Sequence, residues 1–76
     1  MTAKAFVLIE TTMGKNREVV AALKELGKEI KSTDSVTGPY DIIVMIEVET
    51  IDKIDKVIDK IHAVSGVHRT VTCVAI

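Results

Sequence analysis

The alternation of apolar and polar positions along the chain predicts four strands and two helices. Residues 3–10 and 42–48 are nearly unbroken apolar runs, which is typical of strands covered on both faces. Residues 15–28 and 51–64 carry apolar side chains at helical spacing. Strands are also predicted at 30–37, the most polar of the four, and at 67–76. The predicted order is therefore β-α-β-β-α-β.

This order is that of the ferredoxin-like α+β sandwich, with the first and third strands in the centre of the sheet. Both helices then pack on one face, and the other face is left open. Phe6 and Leu8 of the first strand and Ile43 and Met45 of the third point to that open face. An uncovered apolar patch of this size is an association site, so we predict an obligate dimer packed sheet to sheet by a two-fold axis.

Composition and charge narrow the class of protein. The 76 residues suffice for one domain, residues 1–76, and ten basic against eleven acidic residues give a net charge of −1. This charge, with one Phe, one Tyr and no Trp, argues against nucleic-acid binding. The lone Cys73 fits a reducing cytoplasm, and no segment approaches the ~20 apolar residues needed to span a bilayer. We predict a cytoplasmic protein.

Few residues are suited to catalysis or to metal binding. The soft metal ligands are His62, His68 and Cys73, and their spacing matches no zinc-site pattern. No nucleophile motif of the Gly-x-Ser-x-Gly type occurs either. We therefore predict no catalytic residues, no metal and no cofactor.

The segment Gly38-Pro39-Tyr40-Asp41 is the best candidate for binding a small molecule. Gly and Pro predict a tight hairpin turn, and Asp41 places a carboxylate at the mouth of a buried strand. A free amino acid needs a carboxylate for its ammonium group and N–H or hydroxyl donors for its own carboxylate. The turn supplies the first of these, and Thr70 and Thr72 are candidate hydroxyl donors.

The sequence resembles the RAM domain (regulation of amino acid metabolism), the effector-binding half of Lrp/AsnC-family transcription regulators. The resemblance rests on Val-Thr-Gly-Pro-Tyr-Asp-Ile at 36–42 and on the segment 61–72, within a match over essentially the whole chain. It implies a ferredoxin-like domain that dimerises into an αβ-barrel-like unit, and dimers that assemble into octamers or similar rings. It also implies amino-acid effectors in clefts between dimers, lined by Gly38, Pro39, Tyr40 and Asp41 and, as weaker correspondences, by Thr70 and Thr72.

One departure from the family is the absence of the N-terminal helix-turn-helix domain of full-length members. The chain therefore looks like a stand-alone RAM domain that does not bind DNA directly, and that senses an amino acid or co-assembles with a full-length Lrp/AsnC regulator. Two alternatives stay open. An ACT-like sensor would use the turn Thr12-Met13-Gly14 after the first strand. A cofactor-free enzyme of the dimeric αβ-barrel type would need polar groups between sheet and helices, where the predicted side chains are aliphatic.

Overall fold

A computed structural model describes residues 2–76 and contains one antiparallel sheet with two helices on one face. The strands are β1 (Ala3–Thr11), β2 (Ile30–Ser35), β3 (Ile42–Val48) and β4 (Val67–Val74), and the helices are α1 (Asn16–Lys24) and α2 (Ile54–His62). A 3-10 turn at Ile51–Lys53 leads into α2. The strand order β2-β3-β1-β4 places β1 and β3 in the centre. The predicted ferredoxin-like fold is confirmed.

Both helices are shorter than the apolar periodicity predicted. α1 ends at Lys24, and the next N–H groups donate to carbonyls three residues back, from Glu25 to Ala22 at 3.1 Å and from Leu26 to Leu23 at 3.2 Å. The periodicity extends too far because Leu26 and Val64 pack against the core from turns that follow the helices. Apolar residues at helical spacing therefore indicate burial, and this burial continues past the last residue of each helix.

The core lies between the helices and the inner face of the sheet. Burial alternates perfectly along β3, and β1 buries every second residue in its middle, as a sheet with one covered face requires. The twelve buried side chains are all aliphatic, and none of the polar or charged residues among 2–76 is buried: Ala5, Val7, Ile9, Val19, Leu23, Ile42, Val44, Ile46, Val48, Ile54, Val57 and Ile61. This layer has no polar group that could act in catalysis.

The outer face of the sheet carries a second apolar layer that this chain does not cover. Cross-strand pairing aligns its side chains in two rows of three, one centred on Phe6 and the other on Leu8. We call the set the apolar sheet face: Met45, Phe6 and Cys73 in one row, and Ile43, Leu8 and Val71 in the other. Phe6 is 38% exposed and Val71 is 40% exposed, although both lie within a sheet.

Candidate functional site

The turn between β2 and β3 is built around Asp41. The Val36 N–H donates to the Asp41 carbonyl at 2.8 Å, and the Asp41 N–H donates to the Ile9 carbonyl at 2.9 Å. Gly38, within the turn, has a φ of +143°, a conformation that residues with a side chain rarely adopt. The hairpin turn predicted from Gly38 and Pro39 is therefore present, and its last residue is fixed to the central strand β1.

The Asp41 carboxylate is held by one residue of β1. Its Oδ2 accepts the Thr11 N–H at 2.8 Å and the Thr11 hydroxyl at 3.2 Å. Oδ1 accepts no hydrogen bond from residues 2–76, and the side chain is half-buried. Asp41 thus presents one oriented oxygen that is free to bind a cationic group.

The other turn residues are exposed or half-buried beside Asp41. Gly38 and Pro39 are exposed, and Tyr40 is half-buried. The Tyr40 hydroxyl is in none of the side-chain hydrogen bonds within residues 2–76. The residue that precedes Asp41 in the turn therefore carries an aromatic ring and a hydroxyl with no side-chain hydrogen bond among residues 2–76.

Thr70 and Thr72 lie on β4, away from this turn. They pair with Ile9 and Val7 of β1, so two strand spacings, about 10 Å, separate Thr70 from the start of β3. The Thr70 hydroxyl lies 2.7 Å from Nε2 of His62, at the end of α2. One protomer therefore does not bring either threonine within hydrogen-bond distance of the turn.

The loop between β1 and α1 lies at the same end of the sheet as the β2–β3 turn. The Thr12 N–H donates to the Gly66 carbonyl at 2.8 Å. A Cβ added to Gly66, whose φ is +99°, would lie 2.8 Å from Cγ2 of Val19. The loop Thr12-Met13-Gly14 is thus held against the α2–β4 connection, and it directly follows Thr11, the residue that holds Asp41.

Sequence reasoning missed two residues of this region, Thr11 and His62. The apolar run that predicts the first strand ends at residue 10, but Thr11 is the last residue of β1. It is thirty positions from Asp41 along the chain, so only the register of β1 against β3 would have found the contact. The sequence identifies His62 only as a soft metal ligand, whereas the structure places it beside Thr70. Among residues 2–76, no group of three or more His, Cys, Asp or Glu side chains is placed to hold a metal ion.

Comparison with known proteins assigns the family. The family model of the Lrp/AsnC ligand-binding domain matches residues 4–76. The chain belongs to this family. The ligand-binding domain is 32% identical to TTHA0845 from Thermus thermophilus, with a TM-score of 0.90 over 97% of this chain and 92% of that chain. It is 36% identical to the hypothetical protein PHS023 from Pyrococcus horikoshii, with a TM-score of 0.86 over 100% of this chain and 90% of that chain.

A longer neighbour shares the fold of the ligand-binding domain. The transcriptional regulator NMB0573 from Neisseria meningitidis, solved as its complex with L-Met, is 20% identical with a TM-score of 0.83. The match covers 97% of this chain and 49% of that chain. None of the curated proteins matches the chain. Neither helix among residues 2–76 has the length and the apolar composition of a membrane-spanning segment.

Proposed function

We propose that this chain is a non-enzymatic regulatory module that binds a free amino acid in the cytoplasm and assembles as a homo-oligomer. The effector contacts the β2–β3 turn, Gly38-Pro39-Tyr40-Asp41, and hydroxyls of Thr70 and Thr72. Membership of the Lrp/AsnC ligand-binding domain family supports a ligand-binding role. The complex of a neighbour with L-Met supports an amino acid as the class of ligand.

The free oxygen of Asp41 is the observation that carries this proposal. Thr11 holds Oδ2 through two hydrogen bonds, so the side chain is oriented before a ligand arrives. An oriented carboxylate loses little conformational freedom on binding, and a charge-assisted hydrogen bond to an ammonium group is about twice as strong as a neutral one. Asp41 is therefore assigned to the α-ammonium group of the effector.

The separation of Thr70 and Thr72 from Asp41 bears on where the complete site lies. About 10 Å across two strands is too far for one amino acid backbone to contact both groups on one protomer. We place the site at a junction between copies, where the turn of one copy faces the threonines of another. This agrees with the intersubunit clefts that the family resemblance implies.

The apolar sheet face supports the homodimer within this assembly. Its two rows of three side chains are bordered by charged pairs, with Lys4 opposite Glu47 at one end and Glu10 opposite Arg69 at the other. An apolar centre with a charged rim is the usual composition of a protein interface. A second copy related by a two-fold axis covers this face, which gives the αβ-barrel-like unit.

A full-length Lrp/AsnC regulator is the proposed protein partner. It would carry the same fold in its ligand-binding half, so it can present an equivalent apolar sheet face to this chain. Mixed assembly would place this chain beside the DNA-binding domains of its partner. In this arrangement the chain acts on transcription through its partner and does not itself contact DNA.

A thermal-shift screen against the twenty amino acids tests the ligand. At about 100 times its dissociation constant, an effector stabilises the native state by about 2.7 kcal/mol, which raises the melting temperature by roughly 10 °C or more in a domain of this size. The key variant is Asp41→Asn, because the amide oxygen can still accept both Thr11 bonds while the charge is lost. We expect the shift to disappear in Asp41→Asn.

The control for this screen is Gly14→Val, which alters the turn that an ACT-like sensor would use. Under the present proposal the variant keeps its thermal shift, provided that its unliganded melting curve remains cooperative. A shift that survives Asp41→Asn and is lost in Gly14→Val would contradict the proposal and favour the ACT-like alternative. No shift with any amino acid would contradict it as well.

A further inference from the structure

The contact between His62 and Thr70 is the shortest side-chain hydrogen bond among residues 2–76, with 2.7 Å between Nε2 and Oγ1. His62 is the last residue of α2, and Thr70 lies on the edge strand β4 opposite Ile9. Because Ile9 is buried and paired residues point to the same face of a sheet, the Thr70 side chain lies on the face that carries the helices. The end of α2 therefore contacts the hydroxyl of a residue that is proposed to bind the effector.

These two side chains line a cleft of about 390 Å³ at the edge of the sheet. We call it the His62 cleft, and its other lining residues are Val67, His68 and Arg69. The lining thus contains one guanidinium group, two imidazoles, one hydroxyl and no carboxylate. Such a set of donors suits an anionic group, and a carboxylate is the anionic group that every free amino acid carries.

The charged groups around the cleft treat its two imidazoles differently. Glu10 of β1 lies 3.7 Å from Nε2 of His68 and 3.7 Å from a guanidinium nitrogen of Arg69. His62 forms no ion pair among residues 2–76, and its side-chain hydrogen bond is the one to Thr70. His62 is therefore the imidazole whose charge acts on the Thr70 hydroxyl.

The nearest charged residues on α2 do not line the His62 cleft. Asp59 lies three positions before His62, and Lys60 lines a different cleft beside the start of β2 and the end of β3. The connection from α2 to β4, residues 63–66, has no charged side chain. The charges that face His62 across the cleft are thus those of His68 and Arg69 on β4, with Glu10 behind them.

The direction of the hydrogen bond between His62 and Thr70 depends on the charge of His62. A neutral imidazole has one N–H, so Nε2 either donates to the Thr70 oxygen or accepts from its hydroxyl. The charged imidazolium has an N–H on both nitrogens, so Nε2 can only donate. The single hydrogen of the Thr70 hydroxyl is then free to be donated to another acceptor.

We infer that His62 is a positioning residue for the effector, and that its protonated form directs the Thr70 hydroxyl towards the effector carboxylate. The inference rests on the proposed function and adds regulation by pH to the same site. Thr72 is in none of the side-chain hydrogen bonds within residues 2–76, so this control acts on Thr70 alone.

Protonation of His62 should tighten effector binding by about tenfold, because a charge-assisted hydrogen bond is about twice as strong as a neutral one. The imidazolium lies one hydrogen bond behind the Thr70 hydroxyl, so its positive charge also attracts the carboxylate directly. Histidine is the side chain that ordinarily changes its charge between about pH 5 and pH 8. A free amino acid keeps its ammonium and carboxylate charges over this range. The affinity should therefore rise as the pH falls.

Isothermal titration calorimetry with each of the twenty free amino acids as probe, at about pH 5.5 and about pH 8, tests this role. The key variant is His62→Gln, because a glutamine amide donates a hydrogen bond at every pH and does not titrate. Thr70→Val removes the hydroxyl and keeps the shape of the side chain. The matched control is His68→Gln, which replaces the imidazole of the cleft that lies beside Glu10. Circular dichroism checks that each variant is folded.

The wild-type chain is expected to bind its best probe about tenfold more tightly at the lower pH. It should also take up protons on binding at about pH 7, which is measured as a difference in binding heat between phosphate and Tris buffers. His62→Gln should bind with the same affinity at both pH values and take up no protons. Thr70→Val should bind weakly at both, and His68→Gln should keep the pH dependence of wild type.

Three outcomes would overturn the inference and leave the proposed function standing. The first is amino-acid binding with the same pH dependence in wild type and in His62→Gln. The second is a pH dependence that is lost in His68→Gln instead, which would assign it to the ion pair with Glu10. The third is an affinity that rises with pH, which would mean that Thr70 acts as a hydrogen-bond acceptor for the effector. A wild-type chain that binds none of the twenty amino acids at either pH would contradict the proposed function and this inference with it.

Discussion

Phe6→Ala is the most direct perturbation of the proposed dimer. A Phe side chain has a surface of about 200 Å², and Phe6 is 38% exposed in the single chain, which leaves roughly 75 Å² to be covered by a partner. At about 25 cal/mol per Å² this burial contributes nearly 2 kcal/mol per copy. A two-fold dimer buries two copies of Phe6, so the variant loses about 4 kcal/mol. The dissociation constant should then rise nearly a thousandfold.

Sedimentation equilibrium over a dilution series measures this constant, at about 0.5 M salt so that contacts between exposed charges are screened. Met13→Ala is the matched control, because Met13 is 96% exposed and lies in the β1–α1 loop, away from the sheet. We expect its dissociation constant to equal that of wild type. A constant for Phe6→Ala within about tenfold of the wild-type value would refute the assignment of the apolar sheet face to a dimer.

Three further predictions concern backbone strain and charge. Gly66→Ala should lower the free energy of unfolding by about 3 kcal/mol or more, because Gly66 has a φ of +99° and the new Cβ would lie 2.8 Å from Cγ2 of buried Val19. Gly38→Ala should cost only about 1–2 kcal/mol, because no atom lies within 4 Å of its added Cβ; equal losses in urea denaturation would disprove the difference. Thr50→Val should raise the pKa of Asp52, because the Thr50 hydroxyl is the largest influence that holds this pKa below 3.8. An NMR titration measures that pKa directly. A carboxylate whose pKa is lowered in the folded state stabilises the fold above pH 3.8, and this contribution is lost as the pH falls through the folded pKa. The Thr50→Val variant lacks part of this contribution, so its free energy of unfolding should fall less in acid than that of wild type.

The strands and the core were predictable because local pattern and burial agree there. β3 begins at Ile42 and ends at Val48, as its apolar run predicts, and its alternate residues fill the core. The family resemblance read from residues 36–42 and 61–72 is confirmed by the match over residues 4–76. In these segments one physical cause, the covering of apolar side chains, determines both the sequence pattern and the structure.

The contacts of the candidate site were not predictable from spacing. The bond between Thr11 and Asp41 joins residues that are far apart in the chain, and it depends on the register in which β1 meets β3. The start of α2 shows the same limit. Threonine is a residue type that favours helix N-caps, but the Thr50 side chain makes no capping hydrogen bond and a 3-10 turn follows it. Such details follow from tertiary geometry, which a local sequence pattern does not encode.

The pairing of β1 with β4 has a consequence for how the protein is made. Phe6, near the start of the chain, pairs with Cys73, near the end of the described residues, and β1 lies in the centre of the sheet. A nascent chain cannot complete this sheet until β4 has left the ribosome, so β1 lacks one of its two neighbouring strands while residues 12–74 are synthesised. Folding that depends on pairing strands far apart in the chain is slow. Until β4 pairs with it, β1 is the segment most exposed to aggregation or to binding by chaperones.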